Sequence, residues 1–503
     1  MKLLKRILVW SGIGLLALIL LCISVLGLFI GWMKWSGDRD WKRVQAELHA
    51  KGEKLTFAEL LPPPPPDSEN FYADPMWQEL TDLVPGEPEP VFFNIPTWKP
   101  RLPANKLLLN QWKTPLIPAE IKRFHALTPD SSITPNSDRN AVLVNLAGEF
   151  KKSDNEERRR KIAQLNLDLI QPASSMLSRI SELASRPSAY FPVRYQDGFA
   201  ASLPHISYLI NISRLLSWRS TAELELGNTA AAASDILTIL RLSTVQDSEP
   251  LLISQLVQIS NLGIGLSLIN TGIEKHQWTE SDLVNFQDIL NRKNLYERLS
   301  TSLRGERAGF EIIAHSKGAD LKMLGVNQSA LLFFVRLDSE YCVGDYFIKL
   351  QHRLDILNSA THGINASTLP TKRDSLWFFP PNIQSALHTL ERLALPSVDS
   401  AIRKNVEIQT QLSQTLIACA LERYRLAHGS YPGALEQLIP VYLSSIPLEP
   451  TTGNPMHYRL LQNGNFLLWA PGWELKTLDG KPGQYYGEGD IVWNLPIAKG
   501  LRN

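Results

Sequence analysis

The sequence predicts a mainly α-helical protein with an N-terminal transmembrane helix, a helical body and a small C-terminal α+β module. Three observations lead to this fold class. An uncharged apolar run opens the chain, apolar residues recur at helical spacing through its middle, and short strand-like runs separated by Pro and Gly fill its end. A length of 503 residues allows roughly three folded units.

Composition limits the classes of partner. Lys and Arg number 51 against 50 Asp and Glu, so the chain has no basic excess with which to release counterions from a nucleic-acid backbone. We therefore expect no nucleic-acid partner. With 44% hydrophobic residues and 13 Trp, the chain has enough apolar side chains to build folded cores.

These patterns divide the chain into four parts. Residues 1–35 are predicted to form a cytoplasmic tip and a transmembrane anchor, and residues 36–119 a proline-rich strap. Residues 120–392 are predicted to form a helical domain, and residues 393–503 the α+β module.

The anchor prediction comes from the run Ile7 to Met33, which contains no charged residue. About 20 apolar residues suffice to cross a bilayer, so we expect the lipid bilayer to be a partner through residues 7–33. A cleaved signal peptide is the competing interpretation, because Lys2, Lys5 and Arg6 precede the run. Such a peptide has a shorter apolar core and ends at small residues, which are missing here.

The orientation of the anchor is predicted from the usual signal-anchor arrangement, with the N-terminus in the cytoplasm and the body outside. Basic residues lie on both sides of the run, because Lys34, Arg39, Lys42 and Arg43 follow it. The positive-inside count therefore barely decides the orientation.

The strap is predicted to begin with a short helix around Trp41 to Lys51, followed by five consecutive prolines, Pro62 to Pro66. They favour a polyproline II conformation with a rise of about 3.1 Å per residue, which would make a stiff spacer of roughly 15 Å. The alternative is a ligand for an aromatic-lined groove of another protein.

The helical domain begins with a predicted helical stretch from Asp154 to Arg186, bent or split at Pro172. A second helix should run from Pro204 to Leu226 and end at Gly227. Thr229 is expected to cap the next helix. This helical hairpin resembles one tetratricopeptide-like unit, but no second copy follows at the expected interval, so a helical-bundle hairpin is the alternative.

The stretch from Leu251 to Lys275 is apolar enough to suggest a second membrane span. Several Gln and Asn residues interrupt it, which favours a buried core helix. Thr279 and Asp282 then provide the signature of another helix start.

The C-terminal module is predicted to contain a long helix from Ser397 to Ala427 and a short helix near Gly433 to Ile439. Two strands follow, Met456 to Leu461 and Asn465 to Trp469. The dipeptide Asn463-Gly464 between them is a hairpin signal, because both residues accept positive φ angles.

The same module resembles the globular part of the major type II secretion pseudopilin. The resemblance is carried, in order, by ALERYRLAHGSYP (420–432), LEQLIPVYL (435–443), EPTTGNPMHY (449–458), APGWELKTLDG (470–480) and GDIVWN (489–494). Pseudopilins place this module directly after their own hydrophobic helix and carry a prepilin cleavage site. Here nearly 400 residues intervene and no such site precedes the anchor, so the resemblance does not imply a pilus subunit.

The resemblance also implies a calcium site in the final loops. Asp479 and Asp490 stand in positions comparable to the acidic ligands of the relatives. Calcium prefers six to eight oxygens, and Glu474 and Glu488 are the other nearby carboxylates. The favoured interpretation is that these loops are simply polar and that the protein has no cofactor, with calcium as the alternative.

The whole arrangement of anchor, strap, helical body and GSYP-containing tail resembles a family of uncharacterised bacterial membrane-anchored proteins. That resemblance implies a single-pass protein of the bacterial inner membrane with its body in the periplasm. It implies no activity.

A candidate polar cluster lies on a predicted helix and consists of Glu306, Arg307, Glu311 and His315. Glu311 and His315 are four residues apart, so one helix face would present two metal ligands. No third ligand is identifiable, and an ordinary salt-bridged helix is the favoured interpretation. Glu306 and Arg307 are candidates for a buried ion pair.

Motifs that would name a reaction are absent: the sequence contains no HExxH, Walker loop or GxSxG. Cys342 and Cys419 are the cysteines outside the anchor, and the sequence does not decide whether they pair. We therefore expect an extracytoplasmic scaffold or interaction protein with a protein partner, linked to an envelope or secretion assembly. An extracytoplasmic, hydrolase-like enzyme with a dispersed site in the helical domain is the alternative.

Overall fold

The fold is described from a computed structural model, which confirms the mainly helical class. The structure describes residues 2–78, 116, 118–128, 139–315, 343–358, 363–364, 389–473, 477–482 and 489–493. An apolar helix opens the chain and a small three-stranded antiparallel sheet lies near its C-terminus.

The first helix, α1, runs without interruption from Lys2–Ala50. The sequence suggested an anchor followed by a separate short helix near Trp41 to Lys51. The segment between the two contains no proline, and an i, i+4 ion pair between Lys42 and Asp38 spans it at 2.7 Å. Gly52, at φ +76°, follows the end of the helix in the left-handed conformation.

The second half of α1 packs against the body. Trp41, Val44 and Leu48 are buried in one hydrophobic cluster with the aromatic residues Tyr346 and Phe347. The rings of Trp41 and Phe347 lie edge to face with centroids 4.6 Å apart. Helix α1 is therefore part of the folded core from its second half onward.

The predicted strap, residues 36–119, is helical up to Ala50 as the second half of α1, and residues 51–78 then follow the surface of the body. Helix α2 (Phe57–Leu60) begins at a capping box formed by Thr56 and Glu59. Pro62, Pro63 and Pro65 line a cavity of about 440 Å³ shared with residues 184–190 and 244–248. The prolines thus come after the point where α1 joins the body and lie against it, so the prediction of a spacer that lifts the body is wrong. Residues 79–115 lie outside the described part.

The body is built from helices that mostly match the predicted ones. Their bounds are α3 Pro118–Leu127, α4 Arg139–Lys152, α5 Glu156–Ile170, α6 Ser174–Leu183, α7 Pro204–Leu226, α8 Thr229–Leu242, α9 Leu252–Glu274, α10 Glu280–Asn291 and α11 Leu295–His315. Residues 343–355 are helical and are called α12 here. Pro172 lies in a 3₁₀ turn between α5 and α6, so the predicted split is confirmed.

Helix α7 ends as predicted, with Gly227 at φ +85°. The expected cap at Thr229 is wrong by one position. Asn228 precedes the helix, and its side chain donates to Glu223 Oε2 at 2.7 Å instead of accepting from the helix. Thr279 and Asp282 do form the predicted capping box at the start of α10.

The long helix α13 runs from Thr389–His428 and joins the body to the C-terminal cap, by which we mean residues 424–473, 477–482 and 489–493. It starts eight residues before the predicted Ser397, with Pro396 inside it. One face contributes Ile402 and Val406 to the cluster around α1, and Leu412, Leu416 and neighbours to the main core.

The cap contains strands β3 (His457–Leu460), β4 (Phe466–Ala470) and β5 (Ile491–Val492) in the order β3-β4-β5. A separate pair, β1 (Leu357–Asn358) and β2 (Gly363–Ile364), lies earlier in the chain. In the predicted hairpin, Tyr458 pairs with Leu468 and Gly464 adopts φ +82° at the turn. Strand β5 was not predicted, because two residues are too few for a periodic signal.

Candidate functional site

The predicted polar cluster does not form one site. Glu306 faces the start of α9, while the side chain of Arg307 is buried in a different network. Glu311 is half-buried and has contacts of its own. His315 is the last residue of α11, and its side chain lies outside the described part. Glu306 and Arg307 therefore point in different directions and bind different parts of the protein.

Arg307 is the centre of a buried arginine cluster. Its Nη2 donates to Glu53 Oε2 at 2.7 Å and to the carbonyl of Lys54 at 3.2 Å. Its Nη1 donates to Gln351 Oε1 at 2.6 Å. Arg304 clamps the same carboxylate from Nε and Nη2, at 2.7 and 2.9 Å. The cluster thus fastens the residues that follow α1 to α11 and α12.

The electrostatics of this cluster depend on Glu53. Burial alone would raise the pKa of Glu53, but hydrogen bonds and charge from Arg304 and Arg307 outweigh it and hold the pKa at about 2. Arg307 is fully buried, so loss of the Glu53 charge would leave a guanidinium without its counterion. We call this cluster the arginine latch.

The carboxylate of Glu306 binds the N-terminal end of α9. Its Oε1 accepts a hydrogen bond from the backbone N–H of Leu252 at 3.3 Å, the first residue of α9. Burial raises the pKa of Glu306 to about 7, and the backbone hydrogen bond opposes that shift. The carboxylate therefore satisfies an otherwise unpaired helix N-terminal amide.

Gly305 allows the backbone of α11 to lie close to the residue that precedes α9. A Cβ at this position would lie 1.5 Å from the carbonyl oxygen of Pro250, just before α9. No other residue fits between the two backbones.

The residues proposed for calcium are held by separate partners. Asp490 is buried, and its carboxylate accepts from the N–H groups of Leu478, at 2.9 and 3.0 Å, and of Gly480, at 2.7 Å. Asp479 is exposed and lies 3.2 Å from Arg459 Nη1. Glu474 and Glu488 lie outside the described part. Across the described residues, no group of three or more His, Cys, Asp and Glu side chains is arranged to hold a metal ion.

A buried network around Glu249 was missed by sequence reasoning. Its Oε1 lies 2.8 Å from His205 Nε2, and its Oε2 accepts from Ser254 Oγ at 2.6 Å. Phe191 stacks on the His205 ring at 4.0 Å. Because the carboxylate lies between hydroxyl and imidazole, the imidazole does not activate the serine as in a catalytic triad. The network ties α7 to the start of α9.

A second missed network joins the cap to the body. Glu422 on α13 is fully buried and accepts from Arg425, from Tyr431 Oη at 2.8 Å and from His276 Nδ1 at 3.0 Å. Burial would raise the pKa of Glu422, but these three partners lower it below its usual value. His276 lies in the connection between α9 and α10, at φ +53°. The carboxylate of Glu422 therefore contacts side chains from both the body and the cap.

Cys419 is fully buried in the main core, and burial raises the pKa of its thiol. Cys419 is a free cysteine in the structure, and Cys342 lies outside the described residues.

Comparisons with protein-family models, with curated proteins and with solved structures found no match to this chain.

Proposed function

We propose that the chain is a single-pass protein of the bacterial inner membrane whose body lies directly on the periplasmic membrane surface and serves as an interaction scaffold. The observation that carries this proposal is the distribution of exposed large apolar side chains. Among the described residues they concentrate in two places, the first half of α1 and the C-terminal cap.

The first half of α1 supports membrane anchoring. Its most apolar window has a mean hydropathy of 3.0, and none of that window is buried against the protein. The exposed side chains lie on every face of the helix and include Trp10, Ile13, Leu15, Leu16, Leu18, Ile19, Leu20, Leu21, Ile23, Val25, Leu26, Leu28 and Phe29. A helix that is apolar all round requires an apolar surrounding, and the body does not supply one.

The second half of α1 supports a body that is seated on the membrane. Burial begins at Met33, at the end of the apolar run, and continues at Ser36, Trp41, Val44 and Leu48. This spacing is that of one helix face. With the arginine latch closing three residues after the helix, no flexible segment separates lipid from body.

The cap supports the interaction role. Within the described residues outside α1, Val144 and Ile253 are exposed large apolar side chains of the body, whereas Leu426, Ile439, Val441, Leu448, Leu460 and Leu478 lie in the cap. Exposed apolar side chains concentrated in one part of the fold favour an interaction surface there. The resemblance of the cap to a pseudopilin module is the reason to propose an envelope or secretion assembly as the partner.

Photocrosslinking in living cells tests the scaffold role. A benzophenone amino acid at Val441, which is 71% exposed in the cap, should give a discrete adduct. The same group at Val144, which is 59% exposed on α4, is the matched control and should give none. The absence of an adduct from Val441, or equal adducts from both positions, would contradict the scaffold role.

Protease treatment of spheroplasts tests the orientation. The body should be degraded while residues 1–33 remain protected by the membrane. Protection of the body would place it in the cytoplasm instead.

A further inference from the structure

A cavity of about 470 Å³ lies between the body and the cap. Helix α10, the middle of α13 and the loop 440–448 enclose it. The apolar part of its lining includes Leu412, Leu416 and Val441. The loop also carries the most exposed apolar side chain of the cap, Val441, so the mouth of the cavity belongs to the proposed interaction surface.

Lys293 is one of the residues that line the cavity, and its side chain is buried. Lys293 is 9% exposed, and its Nζ donates to the carbonyl of Leu240 at 2.6 Å and to Ser243 Oγ at 2.7 Å. These two bonds leave one N–H of the ammonium unused. Within the described residues, no carboxylate lies at ion-pair distance from this Nζ.

The charge of Lys293 is therefore only distantly compensated. Asp247 raises its pKa, but that carboxylate is engaged with Gln258 Nε2 at 2.9 Å and with Arg298 Nε at 3.7 Å. Burial dominates and lowers the pKa of Lys293 to about 8. A buried cation of this kind is stabilised strongly by an added carboxylate.

An amide residue of α13, Gln409, also lines the cavity. Gln409 is 4% exposed, and its buried Oε1 has no hydrogen-bond partner among the described residues. Ser413, one turn further along the same face, also lines the cavity. Gln287, in contrast, is fully used, because it donates to the carbonyls of Leu416 and Tyr442 and accepts from Arg423. The described residues that line the cavity thus include an amide oxygen without a hydrogen-bond partner and a lysine without a carboxylate at ion-pair distance.

We propose that this cavity binds a small ligand that carries a carboxylate for Lys293, an amide N–H for Gln409 and an apolar side chain for Leu412 and Leu416. An N-acylated amino acid and the carboxyl terminus of a peptide share this chemistry. The inference rests on the proposed function, because it names what the interaction surface of the cap would hold.

Binding of N-acetyl-L-leucine to the full chain in lipid nanodiscs tests the proposal, with the uncharged N-acetyl-L-leucinamide as its matched probe. Titration by saturation-transfer difference NMR should show that the acid binds at least about tenfold more tightly, the effect of one charge-assisted hydrogen bond. The tripeptide acetyl-Ala-Ala-Leu identifies the source. Tighter binding than N-acetyl-L-leucine indicates a peptide terminus, and equal binding indicates an acylated amino acid.

Three variants make the result specific. Lys293→Met keeps most of the side-chain volume and should abolish the preference for the acid. Lys275→Met removes an exposed lysine that is paired with Glu225 at 3.0 Å and should leave the preference unchanged. Ser413→Leu fills the cavity without touching Lys293 and should block both probes, so it decides the matter if circular dichroism shows that Lys293→Met is misfolded.

Equal binding of acid and amide, binding of neither, or unchanged selectivity in Lys293→Met would overturn the proposal. This assay and the crosslinking at Val441 fail independently. A crosslinked partner without probe binding leaves the scaffold role standing, and probe binding without a crosslink leaves the ligand site standing.

Discussion

Helices α1 and α9 are both long and apolar enough to cross a membrane, but α1 exposes its apolar side chains whereas α9 buries most of them in the protein. The most apolar window of α1 has a mean hydropathy of 3.0 and is not buried at all, whereas that of α9 has a mean hydropathy of 1.5 and is 67% buried. The difference shows that length and composition select candidates, and that the surroundings of the helix decide between lipid and core.

The side chains of the two helices explain the difference. Helix α9 carries the amide residues Gln255, Gln258, Asn261 and Asn270, all of which are buried in the protein. Gln258 donates to Asp247 at 2.9 Å, a partner that lipid would not supply. In α1 the polar side chain of Ser24 is satisfied within the helix, by the carbonyl of Leu20 at 2.8 Å.

Glycine substitutions in the two helices should show the largest difference in the free energy of unfolding. A Cβ at Gly272 of α9 would lie 2.2 Å from the indole of Trp278, a buried ring that bonds Ile269. Gly272→Ala should therefore destabilise the body by about 3 kcal/mol. Gly27→Ala in α1 is the control, because no atom lies within 4 Å of its added Cβ. Urea denaturation of the detergent-solubilised chain measures both, and equal effects would contradict the different packing of the two helices.

The arginine latch gives the next largest effect. Glu53 has a folded pKa of about 2 against an ordinary value of 4.5, so its contribution to stability is present above pH 4.5 and is lost as the pH falls toward 2. Glu53→Gln should cost roughly 3 kcal/mol at neutral pH and remove that part of the acid dependence. Exposed Glu47, on the last turns of α1, provides the control Glu47→Gln. A wild-type acid slope in Glu53→Gln would show that the latch does not carry it.

Glu306 should give the smallest effect and the opposite pH dependence. Its folded pKa of about 7 lies above the ordinary 4.5, so its contribution is complete below pH 4.5 and is lost as the pH rises through 7. Glu306→Gln keeps an acceptor for the Leu252 N–H without the charge. Because Glu306 is only half-buried, the variant should gain about 1–2 kcal/mol at pH 8 and nothing at pH 4. Denaturation at the two pH values checks this, with exposed Glu297→Gln as control; a destabilised variant at pH 8 would refute it.

Local signals in the sequence predicted the elements that local chemistry determines. The bounds of α7, the split at Pro172, the capping box at Thr279 and the turn at Asn463-Gly464 all follow from residues within a few positions of each other. The choice of a core helix for α9 followed from its amide residues in the same way.

Contacts between residues far apart in the chain could not be predicted from local sequence signals. The bond from Arg307 to Glu53 joins residues 254 positions apart, and the one from His276 to Glu422 joins residues 146 apart. Sequence spacing therefore placed Glu306 and Arg307 in one cluster, although their partners lie in different parts of the fold. The continuity of α1 was missed for a related reason, because its second half is stabilised by packing on α12.

The most direct test of the account is a nitroxide scan along α1 in nanodiscs, made in a background with Cys22, Cys342 and Cys419 replaced. Collision rates with oxygen and with a water-soluble nickel chelate report lipid and water exposure at each position. We expect high oxygen and low nickel access without helical periodicity at residues 13–29. From Met33 to Leu48 we expect nickel access at Lys34, Asp38 and Lys42, and protection at the buried face. Nickel access throughout residues 13–29, or loss of the periodic pattern after Met33, would contradict a lipid-embedded anchor continuous with a body seated on the membrane.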